Sequence, residues 1–520
     1  MRREKSDGRV VPQGRRKASP TATSRGGKAT TASECAGQLG LSFETADSPR
    51  GVVAGADEGR PSSAPRAMPK SKRTQRPDLQ PMTIESVARN ENLRRAFEQV
   101  AANDGAPGPD RVSVDEVREH LDDVIDAVQR ALLDGDYRPG LIRRVWIPKS
   151  GGGQRGLGIP NVVDRLVQQA VHQVLAPHYE PTFHASSHGF RPERSCHTAI
   201  AEAVRHLDDG FDWVVDIDLS RFFDRVHHQR LLSKLEERVD DRRFVVLIRR
   251  MLKAKVVMPD GVIVSTDEGT PQGGPLSPLL SNIVLDELDR ELTRRGLRFV
   301  RYADDCNIYV ASERAGHRVM DSITRFIEGR LRLQVNAEKS AVARPEERHF
   351  LGFSLGRDAA TGDVDVSLSK RTKDRIDAKV RELVPRSWGQ SLDDCILQLN
   401  RYLLGWLAFF RVCTEKVERA LGNLDARIRR RLRAIKLAHW KQKRVIARQL
   451  VARGAKPQTA WRKVYEGRKS IWALSHLAVV DWTLRNAYFA ARGLLSLKER
   501  WWSYRREVVL GPAQLVLPLG

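Results

Sequence analysis

Two adjacent aspartates, Asp304 and Asp305, lie between short apolar runs at 297–302 and 308–310. No other pattern in the chain constrains the fold as tightly. It predicts two strands joined by a tight acidic turn, a β-hairpin. Such a turn holds carboxylates where a hard divalent cation finds oxygen ligands; Mg²⁺ typically takes one or two carboxylates plus substrate phosphates. Taken alone, the pair is explained equally well by the local hydrogen bonding that makes Asp common in turns.

A second acidic stretch shifts that balance. Residues 213–223 read Trp-Val-Val-Asp-Ile-Asp-Leu-Ser-Arg-Phe-Phe, with Asp224 next. On a strand, Asp216, Asp218 and Ser220 share one face, and Val215, Ile217 and Leu219 share the other. Such a strand can bury one side and present carboxylates on the opposite one. Asp218 with Asp304 and Asp305 would then form an oxygen-rich site of the kind two-metal phosphoryl transfer requires. Left unneutralised and buried, three carboxylates would repel and raise one another's pKa values, a problem that bound Mg²⁺ removes.

Seven further blocks stand in order around the Tyr-Ala-Asp-Asp box at 302–305. They are Ile-Pro-Lys at 147–149, Arg-Gly-Leu-Gly-Ile-Pro at 155–160, Ser-His-Gly-Phe-Arg-Pro at 187–192 and Asp-Leu-Ser-Arg-Phe-Phe-Asp at 218–224. Gly-Thr-Pro-Gln-Gly-Gly-Pro-Leu-Ser-Pro at 269–278, Asn-Ala-Glu-Lys-Ser at 336–340 and Phe-Leu-Gly-Phe at 350–353 complete the set. In these blocks the chain resembles group II intron reverse transcriptases/maturases, over residues 83–505.

The resemblance implies an α+β right-hand polymerase, fingers and palm, followed by an all-α thumb/maturase (X) domain. It implies an RNA-directed DNA polymerase that adds dNTPs to a primer 3′ end and binds intron RNA to assist splicing and mobility. Asp218, Asp304 and Asp305 match the catalytic, metal-binding triad, served by two Mg²⁺ ions or by Mn²⁺ in their place. Lys149 and Arg155 match fingers residues that grip triphosphate, chemistry suited to a point charge and a guanidinium fork. Phe223 matches a bulky ring that excludes the ribose 2′ hydroxyl, with the alternative that Phe222 and Phe223 simply pack. Gln272 matches a residue of the dNTP site, and Lys339 a basic residue near the triphosphate. Phe350 to Phe353 match the hairpin that positions the primer end. The implied partners are intron RNA, an RNA template with its DNA primer, dNTPs and target DNA. Many relatives carry a C-terminal endonuclease of His-Asn-His type with paired cysteines. No such motif follows Tyr504, so the resemblance is to the endonuclease-lacking type. The competing readings are a splicing-only RNA-binding maturase and a related reverse transcriptase adopted for phage defence.

Composition agrees with a polyanionic partner. The 520 residues carry 89 Lys and Arg against 65 Asp and Glu, a formal net charge of +24, which argues for nucleic acid before membrane. No run is long and apolar enough to span a membrane. The five cysteines, Cys35, Cys196, Cys306, Cys395 and Cys413, include no Cys-x-x-Cys pair. They fit a reducing cytosol, and the expected location is the cytoplasm of a bacterium, on nucleic acid. His184, His188 and His197 tempt a metal reading, but a structural or RNA-contact role fits their block better.

Four regions are expected. Residues 1–80 are basic and nearly free of aromatics, a composition that reads as disordered. Residues 81–384 mix helical and strand patterns and make the fingers and palm. Helices are expected over 83–103, 113–133, 161–179 (capped by Asn161), 196–208, 227–252 and 277–294, with a strand near 142–148. Residues 385–505 are nearly all helical pattern, and 506–520 form a short tail. Within the helical region, 427–444 holds nine Lys and Arg and no acid, interleaved with Ile428, Leu432, Ile435 and Trp440. This spacing makes one apolar and one basic face, the latter suited to RNA backbone through Arg429, Arg430, Arg431, Arg433, Lys436 and Lys441. Tyr402, Trp406, Phe409 and Phe410 are expected in the core.

Overall fold

Three β-sheets, strung among helices, organise the first part of the described chain. The computed structural model describes residues 79–148, 153–270, 273–385, 389, 391–467 and 469–509. The expected site residues Lys149 and Gln272 lie outside these, as do the basic segment 1–80 apart from its last two residues and residues 510–520. All described residues belong to one compact unit, Ala64–Gly520.

The expected acidic strands form the central sheet. Strand β3 is Trp213–Asp218, β6 is Arg298–Tyr302, β7 is Asp305–Val310 and β8 is Ala341–Ala343, in the order β6-β7-β3-β8, all antiparallel. Alternation along the strands splits the sheet's two faces between two cores. Val215, Ile217, Phe299, Cys306 and Ile308 enter a cluster with the helices of residues 84–294. Val214, Val300 and Tyr309 enter a second cluster with the helices beyond residue 370. Strand β3 ends at Asp218, so Leu219 and Ser220 continue only through single contacts to Val335 and Gln334.

A second sheet has the order β2-β1-β4-β5, where β1 is Ile142–Pro148, β2 Gln154–Ile159, β4 Val256–Val257 and β5 Ile263–Val264. A two-stranded sheet of β9, Phe353–Arg357, and β10, Val364–Leu368, leads into the helical region. From Lys370 onward every described regular element is a helix. The described chain is thus an α+β region built on three sheets, followed by an all-helical region.

Several helices match expectation, including Cys196–Asp208 and Ser277–Arg294. The first is set by a capping box, in which Ser195 accepts from the Thr198 amide and Thr198 from the Ser195 amide. Others are shorter than the periodicity predicts. The helix over 83–103 breaks at Arg89, whose ψ of 131° is extended, and that over 113–133 breaks at His120. The pattern at 227–252 is two helices, His228–Glu236 and Arg242–Leu252. Asn161 precedes helix Val162–Tyr179 without capping it; its Oδ1 accepts instead from the Asp110 amide at 3.4 Å. The last helix, Leu497–Val509, runs past the expected boundary at 505.

Candidate active site

Strand register brings the acidic residues together. Asp218 lies directly opposite Asp305 in the β3–β7 pair, and Asp216 lies opposite Asn307. Asp304 occupies the two-residue turn with Ala303, since Tyr302 pairs with Asp305 across the hairpin. Ala303 has φ +57°, while Asp304 does not enter the positive region. A positive φ at the first central position only is the type II′ pattern, one of the two turns that match strand twist. That position favours Gly, so Ala303 carries backbone strain.

Each carboxylate has its own surroundings. Asp216 is buried and ion-paired to Arg348 at 2.5 Å. Burial still raises its pKa against the pull of Arg348. Asp218 keeps 39% of its side chain exposed and faces Lys339 Nζ at 3.5 Å. Its amide donates to Ser340 Oγ at 3.0 Å and its carbonyl accepts from the Asn336 amide at 2.8 Å, so the 336–340 block fixes the strand end. Asp304 and Asp305 both keep some surface exposed, yet desolvation dominates both. It raises the Asp304 pKa against Arg155, with Asp218 adding to the rise. It pushes Asp305 well above the carboxylate range, and the charges of Asp216, Asp304 and Asp218 push further.

The carboxylates form an all-oxygen donor set, which suits a hard divalent cation. Among the described residues, no group of three or more His, Cys, Asp or Glu side chains is already arranged to hold a metal ion.

Two family models and several known proteins match the chain. Residues 147–355 match the family described as "Reverse transcriptase (RNA-dependent DNA polymerase)", and residues 373–454 match "Group II intron, maturase-specific domain". The chain is 34% identical over 312 residues to Protein YkfC of Escherichia coli (strain K12), covering 52% of this chain and 82% of that protein. It belongs to the group II intron-encoded reverse transcriptases/maturases. It is also 29% identical over 356 residues to the group II intron-encoded protein LtrA of Lactococcus lactis subsp. cremoris, of which it spans 59%. A likeness to a chain of a solved structure titled "Partial Cas6-RT-Cas1--Cas2 complex" has TM-score 0.32 and 23% identity. It covers 47% of this chain and 42% of that one, too little to carry an argument.

Within this reverse transcriptase, the other expected site residues fare unequally. Arg155, on the fingers strand β2, is near enough to favour the charged form of Asp304. Lys339 lies beside Asp218. Phe223 does not stand open to a substrate: it is 6% exposed and packs edge-on against Phe222, with ring centroids 5.3 Å apart. Both rings are in the core, so the packing alternative describes this state. The Phe350–Phe353 turn is tight, with Leu351 and Gly352 at φ +52° and +95°, and Phe353 packs on Phe409 and Phe410 of the thumb. Phe410 is buried, while Tyr402, Trp406 and Phe409 are partly buried against the same core.

The basic thumb helix Val417–Trp440 corrects part of the RNA-contact expectation. Arg433 is buried, donating to the Leu484 carbonyl at 3.0 Å and pairing with Asp481. Arg431 donates to the Val384 and Arg381 carbonyls at 2.7 and 3.1 Å. Lys436 sits over the Trp440 ring at 5.9 Å, and burial lowers its pKa. Arg433 thus serves the protein's own packing, while Arg431 and Lys436 stay half-exposed. Arg430 and Lys441 are exposed and Arg429 is half-exposed, so they remain open to a polyanion.

One feature escaped sequence reasoning. Arg348 neutralises Asp216 across 132 residues of chain, and nothing local to either residue signals it. Of the histidines singled out, His188 bridges Thr198 Oγ1 at 2.8 Å and Glu202 at 2.7 Å. His197 meets the Phe409 carbonyl at 2.6 Å.

Proposed function

We infer that this protein extends a DNA primer on an RNA template with dNTPs, using Asp218, Asp304 and Asp305 to hold two Mg²⁺ ions. The observation that carries the reading is the register that sets Asp218 opposite Asp305 with Asp304 in the adjoining turn. Bound there, the ions would activate the primer 3′ hydroxyl and stabilise the leaving pyrophosphate. The chain's own residues do the rest. Arg348 takes up the charge of Asp216, which leaves the outer carboxylates for substrate. Lys339, exposed beside Asp218, would meet triphosphate oxygens as a donor. Arg155 on the fingers strand supplies a second cation facing Asp304. Phe223 would discriminate against a 2′ hydroxyl only if its ring turns out of the core when substrate binds. The expected regions 81–384 and 385–505 are proposed as fingers–palm and thumb, the latter holding intron RNA through Arg429, Arg430 and Lys441. Among the described residues Cys196, Cys306, Cys395 and Cys413 are buried free thiols, which fit a reducing compartment, here proposed as a bacterial cytoplasm.

Primer extension on an RNA template with dNTPs and Mg²⁺, comparing wild type with Asp304→Ala, tests this. Extension by the wild type alone is expected, with intron RNA retained by both. No extension by either, together with tight RNA binding, would leave a splicing-only maturase.

A further inference from the structure

One cation in the palm is closed off from solvent. Arg301, two residues before Ala303, is 0% exposed, and so is Asp289 beneath it. A guanidinium has five N–H donors, and here all five are used. Nε donates to Asp289 Oδ1 at 2.7 Å, and Nη2 to Asp289 Oδ2 at 2.6 Å and Ser187 Oγ at 2.7 Å. Nη1 donates to Asn282 Oδ1 at 3.1 Å and to the Ala303 carbonyl at 2.9 Å. That last bond grips the strained residue that precedes Asp304.

The surrounding backbone closes on the same turn. The Arg301 amide donates to the Ser186 carbonyl at 2.9 Å, and the His188 amide to the Arg301 carbonyl at 2.8 Å. Gly189 lies so close that a Cβ there would come within 2.2 Å of the Ala303 nitrogen. Asn282 Nδ2 donates to the Gly189 carbonyl at 2.9 Å, tying the loop to the helix that carries Asp289. The block 186–189 is thus fastened to the acidic hairpin by backbone, by the guanidinium and by contact.

Stability alone does not account for this investment. A buried ion pair contributes little net stability against apolar residues of similar volume, while a fully satisfied buried network fixes one geometry. We propose that Arg301, locked by Asp289, Asn282 and Ser187, is a positioning residue that holds the Ala303–Asp304 turn in the conformation metal binding and nucleotidyl transfer require. This rests on the reading of Asp304 and Asp305 as the catalytic pair.

Two variants test it in the full chain. Arg301→Lys keeps the charge and loses the fork. Arg301→Met with Asp289→Leu removes both charges and leaves none unpaired. Melting temperature and intron RNA binding report the fold. In a folded variant, kcat for primer extension should fall by about 100-fold, the scale of an ångström-sized misplacement, with the dNTP KM within about two-fold of wild type. Mn²⁺ binding without nucleotide, read by electron paramagnetic resonance, should weaken about ten-fold. A folded variant with kcat within about two-fold of wild type, or with only KM changed, overturns the proposal. Should neither variant fold, Ser187→Ala removes one bond to the guanidinium, and a kcat loss of about five-fold decides the matter in the same way. Asp304→Ala run alongside separates the two claims. If it stays active, the reading of the catalytic pair fails. If it is dead while the folded Arg301 variants are active, only the positioning role fails.

Discussion

The palm and the thumb both concentrate charge, but they use it in opposite ways. In the palm, strand pairing sets Asp218 against Asp305 at a site that keeps some access to solvent. The arrangement costs stability, because burial and mutual repulsion oppose ionisation of Asp305. In the thumb, Arg433 and Arg431 turn inward and hold helix ends and loops together. Like residues on one basic helix therefore divide between scaffold and surface, whereas the palm's acids converge on one place. Charge that a fold leaves unneutralised points to a ligand; charge that it satisfies internally points to architecture.

Three substitutions would break or sharpen that contrast. The largest effect is expected from Asp305→Asn, which keeps the shape and removes one of the repelling charges. Primer extension should fall on the order of 10³-fold or more, while the melting temperature holds or rises, the usual exchange between activity and stability. A clear drop in melting temperature would mean that the carboxylate is structural. Next comes Arg433→Met, which strands the Leu484 carbonyl. It should cost about 2–3 kcal/mol in denaturant unfolding. If RNA affinity falls with stability intact, Arg433 belongs to the surface after all. The smallest effect is expected from Arg430→Ala. Melting should be unchanged, and RNA affinity should weaken a few-fold with a salt dependence shallower by about one ion. An unchanged salt slope would remove Arg430 from the interface.

The legibility of the chain follows from the range of the interactions involved. Strand alternation at 213–218 and 298–310 is local, so the acidic hairpin and its partner strand could be read directly, including which face is apolar. The helix Cys196–Asp208 was equally plain, because its apolar periodicity is local. Breaks at Arg89 and His120 were hidden, since neither residue is a Gly or Pro. The inward turn of Arg431 and Arg433 was hidden because periodicity gives a helix two faces without saying how much of the basic one another element covers. The Arg301 network spans residues 187 to 303, beyond any local pattern. It did leave one trace: Asn282 and Asp289 lie seven apart on a helix whose neighbours Leu285 and Leu288 are buried, and polar residues at such core positions need a buried partner.

The shared palm sheet has a consequence for how such a chain can be divided. Phe353 of β9 packs on Phe409 and Phe410 at 5.8 and 5.1 Å, in the same core as Val214, Val300 and Tyr309. A boundary drawn near residue 385 separates two sequence signatures but cuts through one folding unit. Polymerase fragments ending there should be recovered as aggregates, and exchange of thumbs between relatives should succeed only when the aromatic seam travels with them.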